Sequence, residues 1–204
     1  GQSSGGLDPA VLLKPLADTW PTYSGDYTGR RFSTLTQINR NTVKNLTLSW
    51  VTRLNGTAGS PQTILGGVGS GEYTNVTVKG FVLYFDDTLY VTSADHVWAL
   101  DARDGRLLWH YFWRTRGGTH TGNRGVAMWH NYLFFETPDD YLVSLDAKTG
   151  KERWHVEIAD FDQQYFSTMA PVVVGNHLLV GTGNDLDAPG FLQSYDPETG
   201  KLQW

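Results

Sequence analysis

Apolar and polar residues alternate with a period of two over most of this chain, and the alternating runs come in fours. Phe81–Phe85, Leu89–Thr92, Val97–Asp101 and Leu107–Trp113 form one group, and Gly125–Trp129, Tyr132–Glu136, Tyr141–Asp146 and Glu152–Glu157 a second. Met169–Val174, His177–Gly181 and Phe191–Asp196 open a third, whose last run starts at Lys201. Such alternation predicts strands with one face on a core, joined by tight turns. Helical periodicity is confined to Ala10–Leu13, where Asp8 is a natural N-cap, Pro9 fits the first turn and Pro15 limits the length.

One stretch organises the pattern. Ala99–Trp109 is rewritten at Ser144–Trp154 and again at Ser194–Trp204, each copy placing an Asp after an apolar residue, then a Gly, then a Trp four residues beyond that Gly. The Asp positions 101, 146 and 196 are 45 and 50 residues apart, the spacing of stacked β-units such as propeller blades. Within a copy, the segment from Asp to Gly supplies turn chemistry, with Gly where a positive φ costs least. A Trp recurring at one place per unit is expected to wedge against a neighbouring unit near its Gly, where no side chain obstructs the ring.

The predicted fold is therefore all-β: a β-propeller of four-stranded antiparallel blades carrying tryptophan-docking motifs. About two to three blades cannot close a ring alone, so the remainder of the propeller, or other subunits, is expected to complete it. Residues 1–42 read as an N-terminal extension and 43–204 as the partial propeller. Val43–Leu54 alternates like one further strand, with Trp50 where a blade's last strand carries its Trp, and residues 56–71 read as a Gly- and Ser-rich loop.

Composition narrows the function classes. A formal net charge of −5 with no basic patch argues against nucleic acid. No apolar run is long enough to span a bilayer, and the absence of Cys excludes disulfides, thiolate catalysis and Cys-bound zinc. Six His show no metal-ligand spacing.

The turn-rich segment Trp20–Ser33, with Arg30-Arg31-Phe32-Ser33, followed by Gln37-Ile38-Asn39, resembles the N-terminal signature of the quinoprotein alcohol dehydrogenases, which use pyrroloquinoline quinone (PQQ). The blade motif is of the same kind, and the resemblance covers nearly the whole chain. It implies a PQQ-dependent alcohol or sugar dehydrogenase, periplasmic or extracellular, with calcium beside the quinone and an electron-acceptor protein as partner. By the same resemblance Arg124 of Asn123-Arg124-Gly125 pairs with a PQQ carboxylate, and Thr168 of Thr168-Met169-Ala170-Pro171 hydrogen-bonds the quinone. A planar guanidinium suits a carboxylate-bearing ligand.

Several positions depart from the family pattern. Lys79 stands where many members have a Glu that contacts PQQ, and Arg116–Gly122 lacks the adjacent cysteines, with His120 in their place. In the loop 181–190, Asp185 and Asp187 are the candidates for calcium, Leu186 falling at the usual Glu on one register. The resemblance places the family's catalytic Asp further along than residue 204, so the catalytic residues stay unassigned. These departures leave an alternative open: a quinoprotein-like propeller without cofactor, acting as a binding or structural module.

Overall fold

The structure, a computed structural model, describes residues 6–54, 78–118, 120 and 122–204; the loop expected over 56–71 lies outside them. The alternating runs fold into three sheets. The first blade is β1 Leu83–Phe85, β2 Thr88–Ser93, β3 His96–Asp101 and β4 Leu107–Phe112, antiparallel and in chain order. The second repeats it with β5 Ala127–Trp129, β6 Tyr132–Glu136, β7 Tyr141–Asp146 and β8 Glu152–Glu157. In the third, β10 Val172–Val174, β11 His177–Asn184 and β12 Phe191–Tyr195 follow in order, with the short β9 Tyr165–Phe166 paired to the far end of β11. Its fourth run begins with a bridge between Tyr195 and Leu202.

Side-chain alternation assigns each strand face to a seam. On β6, Leu133 and Phe135 enter the core shared with the first blade, whose Leu83, Tyr90, Val97 and Ala99 meet them. Phe134, between them, points the other way and joins Leu142 against Leu178, Val180 and Tyr195 of the third blade. A one-residue slip would turn every one of these side chains to the wrong seam, so the register is fixed by packing on both faces.

The Trp residues clip the blades together. Trp109 lies on Gly150 of the second blade and donates its indole N–H to the Ala147 carbonyl at 2.9 Å. Trp154 does the same on Gly200, donating to Glu198 O at 3.0 Å. The receiving turns are built alike. Asp146 Oδ1 accepts from the backbone N–H of Lys148 and Thr149, and Gly150, at φ +68°, closes the turn with its N–H on Asp146 O at 2.9 Å. Asp101 caps its own turn the same way, but the Arg103 guanidinium replaces the Thr hydroxyl and holds the Asp101 carboxyl well below the usual range.

Two expectations need correction. Residues 43–54 do not form a strand: Val43–Asn45 is a 3-10 turn, and 46–54 pairs with no sheet among the described residues. Alternation marks a segment fit for a sheet, but a strand exists only with a neighbour to bond. Trp50 nevertheless sits on Gly105 and donates to Ala102 O at 3.1 Å, the wedge position of the other two. Leu48 and Val51 remain 80% and 77% exposed. Second, the innermost strands start two to three residues late. Their leading residues bond across blades instead: Phe81 N–H to Arg124 O at 3.0 Å, and Arg124 N–H to Thr168 O at 3.1 Å.

The extension crosses the free inner edges of all three blades. Leu7 pairs with His130, Trp20 with Tyr84, and the Tyr27 hydroxyl donates to Val173 O. Its 3-10 helix, Pro9–Leu13, is capped by Asp8 as its sequence leads one to expect.

The wedge geometry predicts that Gly150→Ala destabilises the fold. A Cβ there would lie 2.5 Å from the Trp109 ring on a left-handed backbone, so the cost is about 2–4 kcal/mol, measurable by urea unfolding. The buried His96 imidazole yields a second prediction. Its Nδ1 shares one hydrogen bond with His110 at 2.8 Å and its Nε2 lies 3.5 Å from the buried Asp95 carboxylate, but burial dominates and, with the His110 charge adding, pushes the imidazole down to about 4. The stability its neutral form confers is fully present above pH 6.5 and falls as pH drops from 6.5 towards 4, by on the order of 3 kcal/mol. His96→Phe should flatten that slope in denaturation curves taken across the window.

Candidate functional site

The residues leading into the three innermost strands meet at one end of the blades, and the candidates Lys79, Arg124 and Thr168 are among them. Arg124 is the centre. Its Nη1 donates to the Thr168 carbonyl at 3.0 Å and also to the Thr168 hydroxyl. The turn presenting it is held from behind by Asn123, which is buried: its Oδ1 accepts from Gly125 N–H at 2.8 Å and its Nδ2 donates to Glu136 O at 2.9 Å. Gly125 has φ +132°, a conformation that Asn123 and the interblade bonds maintain.

Lys79 approaches from the first blade. A Cβ on Gly122 would lie 3.8 Å from Lys79 Cδ and 3.7 Å from Thr168 Cγ2, so that glycine separates the two side chains by little more than its own width. Gly80 is tighter still, a Cβ there falling 2.9 Å from Asn123 O and from the Arg124 carbonyl carbon. Only a glycine lets the first blade's lead pass this close to the second.

Arg31 joins them, a residue that motif reading did not single out for the site. Its guanidinium carbon lies 4.4 Å from the Phe81 ring centroid and 5.1 Å from that of Tyr23. A cation held over aromatic rings keeps its charge without needing a carboxylate. A chain of net charge −5 thus gathers Arg31, Lys79 and Arg124 around one short stretch of backbone. The Arg124 guanidinium, the Lys79 ammonium and the Thr168 hydroxyl suit a ligand bearing carboxylates.

The loop candidates for calcium are arranged differently. Asp185 Oδ2 lies 2.6 Å from His120 Nε2, and the His120 ring packs on Phe166 with centroids 4.2 Å apart. The segment that replaces the family's cysteines is therefore tied to the 181–190 loop. Asp187 is exposed, and Asn184 shapes the turn by accepting from Leu186 N–H at 2.8 Å. Among the described residues no group of three or more His, Cys, Asp or Glu could hold a metal ion. The structure brings Arg124, Thr168 and Lys79 together; it joins Asp185 to His120 and not to Asp187.

With this geometry in view, comparison with known proteins decides the family. Residues 20–204 match the family model for the PQQ glucose/ethanol/alcohol dehydrogenase β-propeller domain. The chain belongs to this family. The dehydrogenase subunit of the quinone-linked alcohol dehydrogenase of Gluconacetobacter polyoxogenes is 35% identical over 199 residues, covering 91% of this chain and 24% of the relative. Quinohemoprotein alcohol dehydrogenase from Comamonas testosteroni superposes with a TM-score of 0.79 at 30% identity, over 97% of this chain and 28% of that one. A europium-containing methanol dehydrogenase gives 0.73 at 28% identity, over 96% and 32%. The chain thus spans about a quarter of the length of the quinoprotein relatives it matches. No helix among the described residues is long and apolar enough to cross a membrane.

Family membership and the Arg124–Thr168 contact together predict the effect of one substitution on the site alone. Arg124→Ala removes only a side chain that is exposed and bonded to Thr168, so the unfolding free energy should change by less than about 1 kcal/mol. A larger loss in urea denaturation would mean that Arg124 is part of the interblade seam.

Proposed function

We propose that this chain forms the cofactor-orienting blades of a PQQ-dependent dehydrogenase acting on an alcohol or sugar. The convergence of Arg124, Thr168 and Lys79 at one end of three blades carries the reading, and membership in the quinoprotein family supports it. Arg124 would grip a carboxylate of PQQ with its planar fork, giving up its bond to Thr168, whose hydroxyl is then released to donate to the same ligand. Lys79 supplies a point charge where the family pattern has an acceptor, so it would hold a second carboxylate. Bound PQQ supplies the electron-accepting carbonyl chemistry of the reaction. The residues in this chain bind and orient; no proton acceptor for the substrate is assigned among them. Asp185 or Asp187 would contribute to calcium only with ligands from elsewhere in the ring.

Ring closure belongs to the same proposal. Segment 46–54 seats Trp50 on Gly105 as an outer strand's Trp does, and it has no sheet neighbour among the described residues. It would be the outer strand of a blade whose other strands come from the remainder of the propeller. The location that goes with this reading is the periplasm or the outside of the cell, with an electron-acceptor protein as partner.

Reconstitution of the intact protein with PQQ and calcium tests it. The quinone absorbance should appear with dye-linked alcohol oxidation. Arg124→Ala should weaken PQQ binding by roughly 10–100-fold, as expected for a lost charge-assisted hydrogen bond, and Thr168→Val by less. Failure of the unaltered protein to take up PQQ would reject the enzyme and favour the cofactor-free propeller.

A further inference from the structure

The seam between the second and third blades is apolar for most of its height and changes character at the end that carries Arg124. Phe134, Leu142 and Val180 pack together there. Two residues on along the same strand faces come Glu136 on β6, Asp140 ahead of β7 and Thr182 on β11, so side-chain alternation turns all three into this seam. Glu136 and Asp140 are both 0% exposed, and Thr182 is 9% exposed. Both oxygens of Glu136, both oxygens of Asp140 and the Thr182 hydroxyl have no hydrogen-bond partner in the structure. Ser167, one residue before Thr168, is also buried there, its hydroxyl 3.4 Å from the Gly181 carbonyl.

The groups sense one another. Burial drives the Glu136 carboxyl well above its ordinary range, with the charge of Asp140 adding, and the Ser167 hydroxyl and the Gly181 backbone N–H, neither close and aligned enough to count as its hydrogen-bond partner, offset this only in part. Burial likewise pushes Asp140 up to about 7, the neighbouring Asp139 adding and Ser167 and the more distant Arg116 charge opposing. Asp139 itself is fully engaged: it accepts from Trp113 Nε1 at 2.8 Å, from the Thr137 hydroxyl at 2.7 Å and from Arg116 N–H at 3.0 Å. The Arg116 guanidinium lies 3.8 Å from Asp139 and 3.5 Å from Glu157. Among the described residues, Glu136 makes no ion pair of its own, while Arg116 is engaged with Asp139 and Glu157.

Two buried carboxylates with orphaned oxygens are an expensive arrangement unless something positive lies between them. The available donors are all oxygens: two carboxylates, two hydroxyls and a backbone carbonyl. Oxygen-only sets with two negative charges match a hard divalent cation that tolerates irregular coordination. We propose that Glu136, Asp140, Ser167 and Thr182 form a binding site for a Ca2+-sized divalent cation at the seam between the second and third blades. The ion ties β6 and the turn after it to β11 and to the lead of β10, and through Ser167 it fixes the backbone that carries Thr168. The site uses neither Asp185 nor Asp187 and does not depend on PQQ.

Metal content and thermal unfolding of the intact protein, with Ca2+ or with chelator, test this. Ca2+ should raise the unfolding temperature of the unaltered protein and should still raise it in an Asp185→Asn/Asp187→Asn variant. Glu136→Gln and Asp140→Asn should each lose about one equivalent of bound Ca2+ and weaken the thermal response at least about tenfold in Ca2+ concentration. Thr182→Val, which leaves both carboxylates, should shift it in the same direction by less, and it reports on the site if a carboxylate variant fails to fold. The proposal is overturned if Glu136→Gln and Asp140→Asn keep the Ca2+ content of the unaltered protein. It is equally overturned if Ca2+ stabilisation disappears in the Asp185→Asn/Asp187→Asn variant alone. A Glu136→Gln protein that is more stable and equally insensitive to Ca2+ would show a pair held neutral by protons, against the proposal.

Discussion

Everything in this molecule depends on an indole ring lying flat on a glycine. A four-stranded sheet with two apolar faces cannot stand in water alone; each blade needs a neighbour on both sides. The Trp at the outer strand reaches over the next blade's turn, buries its ring on a residue without a side chain and donates its N–H to that turn's carbonyl. The Asp at the head of the turn holds the receiving carbonyl in place by capping the backbone N–H groups after it. Asp, Gly and Trp therefore recur as a set because each is useless without the others. Regular docking fixes the rotation from one blade to the next, and that rotation decides what meets at the axis.

The candidate site follows from this spacing. Because neighbouring blades are held close at their outer edges, the leads of their inner strands come within backbone hydrogen-bonding distance: Phe81 to Arg124, Arg124 to Thr168. Asn123 and Ser167 on those leads turn inward, while Arg124 between them is left exposed at the open end. Glycines at 80 and 122 are what make the approach possible, since a Cβ at Gly80 would strike backbone of the second blade. Arg124 spends its hydrogen bonds on Thr168, and Arg31 rests on the rings of Phe81 and Tyr23. A surface built this way favours an anionic ligand over a protein side chain.

Much of this was legible from residues alone, and the exceptions have a common cause. The Asp-to-Gly-to-Trp repeat is local, so its period, its turns and its wedge could all be read without coordinates. Arg124 and Thr168 could be paired only through family resemblance, because the contact spans 44 residues and nothing local announces it. The strand expected over 43–54 failed because alternation reports a face and not a partner. His120 and Asp185 were each noticed singly, but their contact at 2.6 Å joins two loops from different blades. Arg31 was visible as part of a motif, while its place over Phe81 depended on how the extension crosses the first blade.

Glu136 shows the same limit at its sharpest. In the run Tyr132–Glu136 the charged residue ends the strand, the position where a side chain normally turns to solvent. Here it is fully buried, because the solvent side of that strand end is covered by β11 and the segment before β10. The blade supplies the strand, but its neighbour decides whether the last residue is wet. A carboxylate placed where two sheets meet, and left without a partner in its own sheet, has to find one across the seam or outside the chain. That requirement makes the blade junction, and not the blade, the unit in which polar groups near the axis have to be understood.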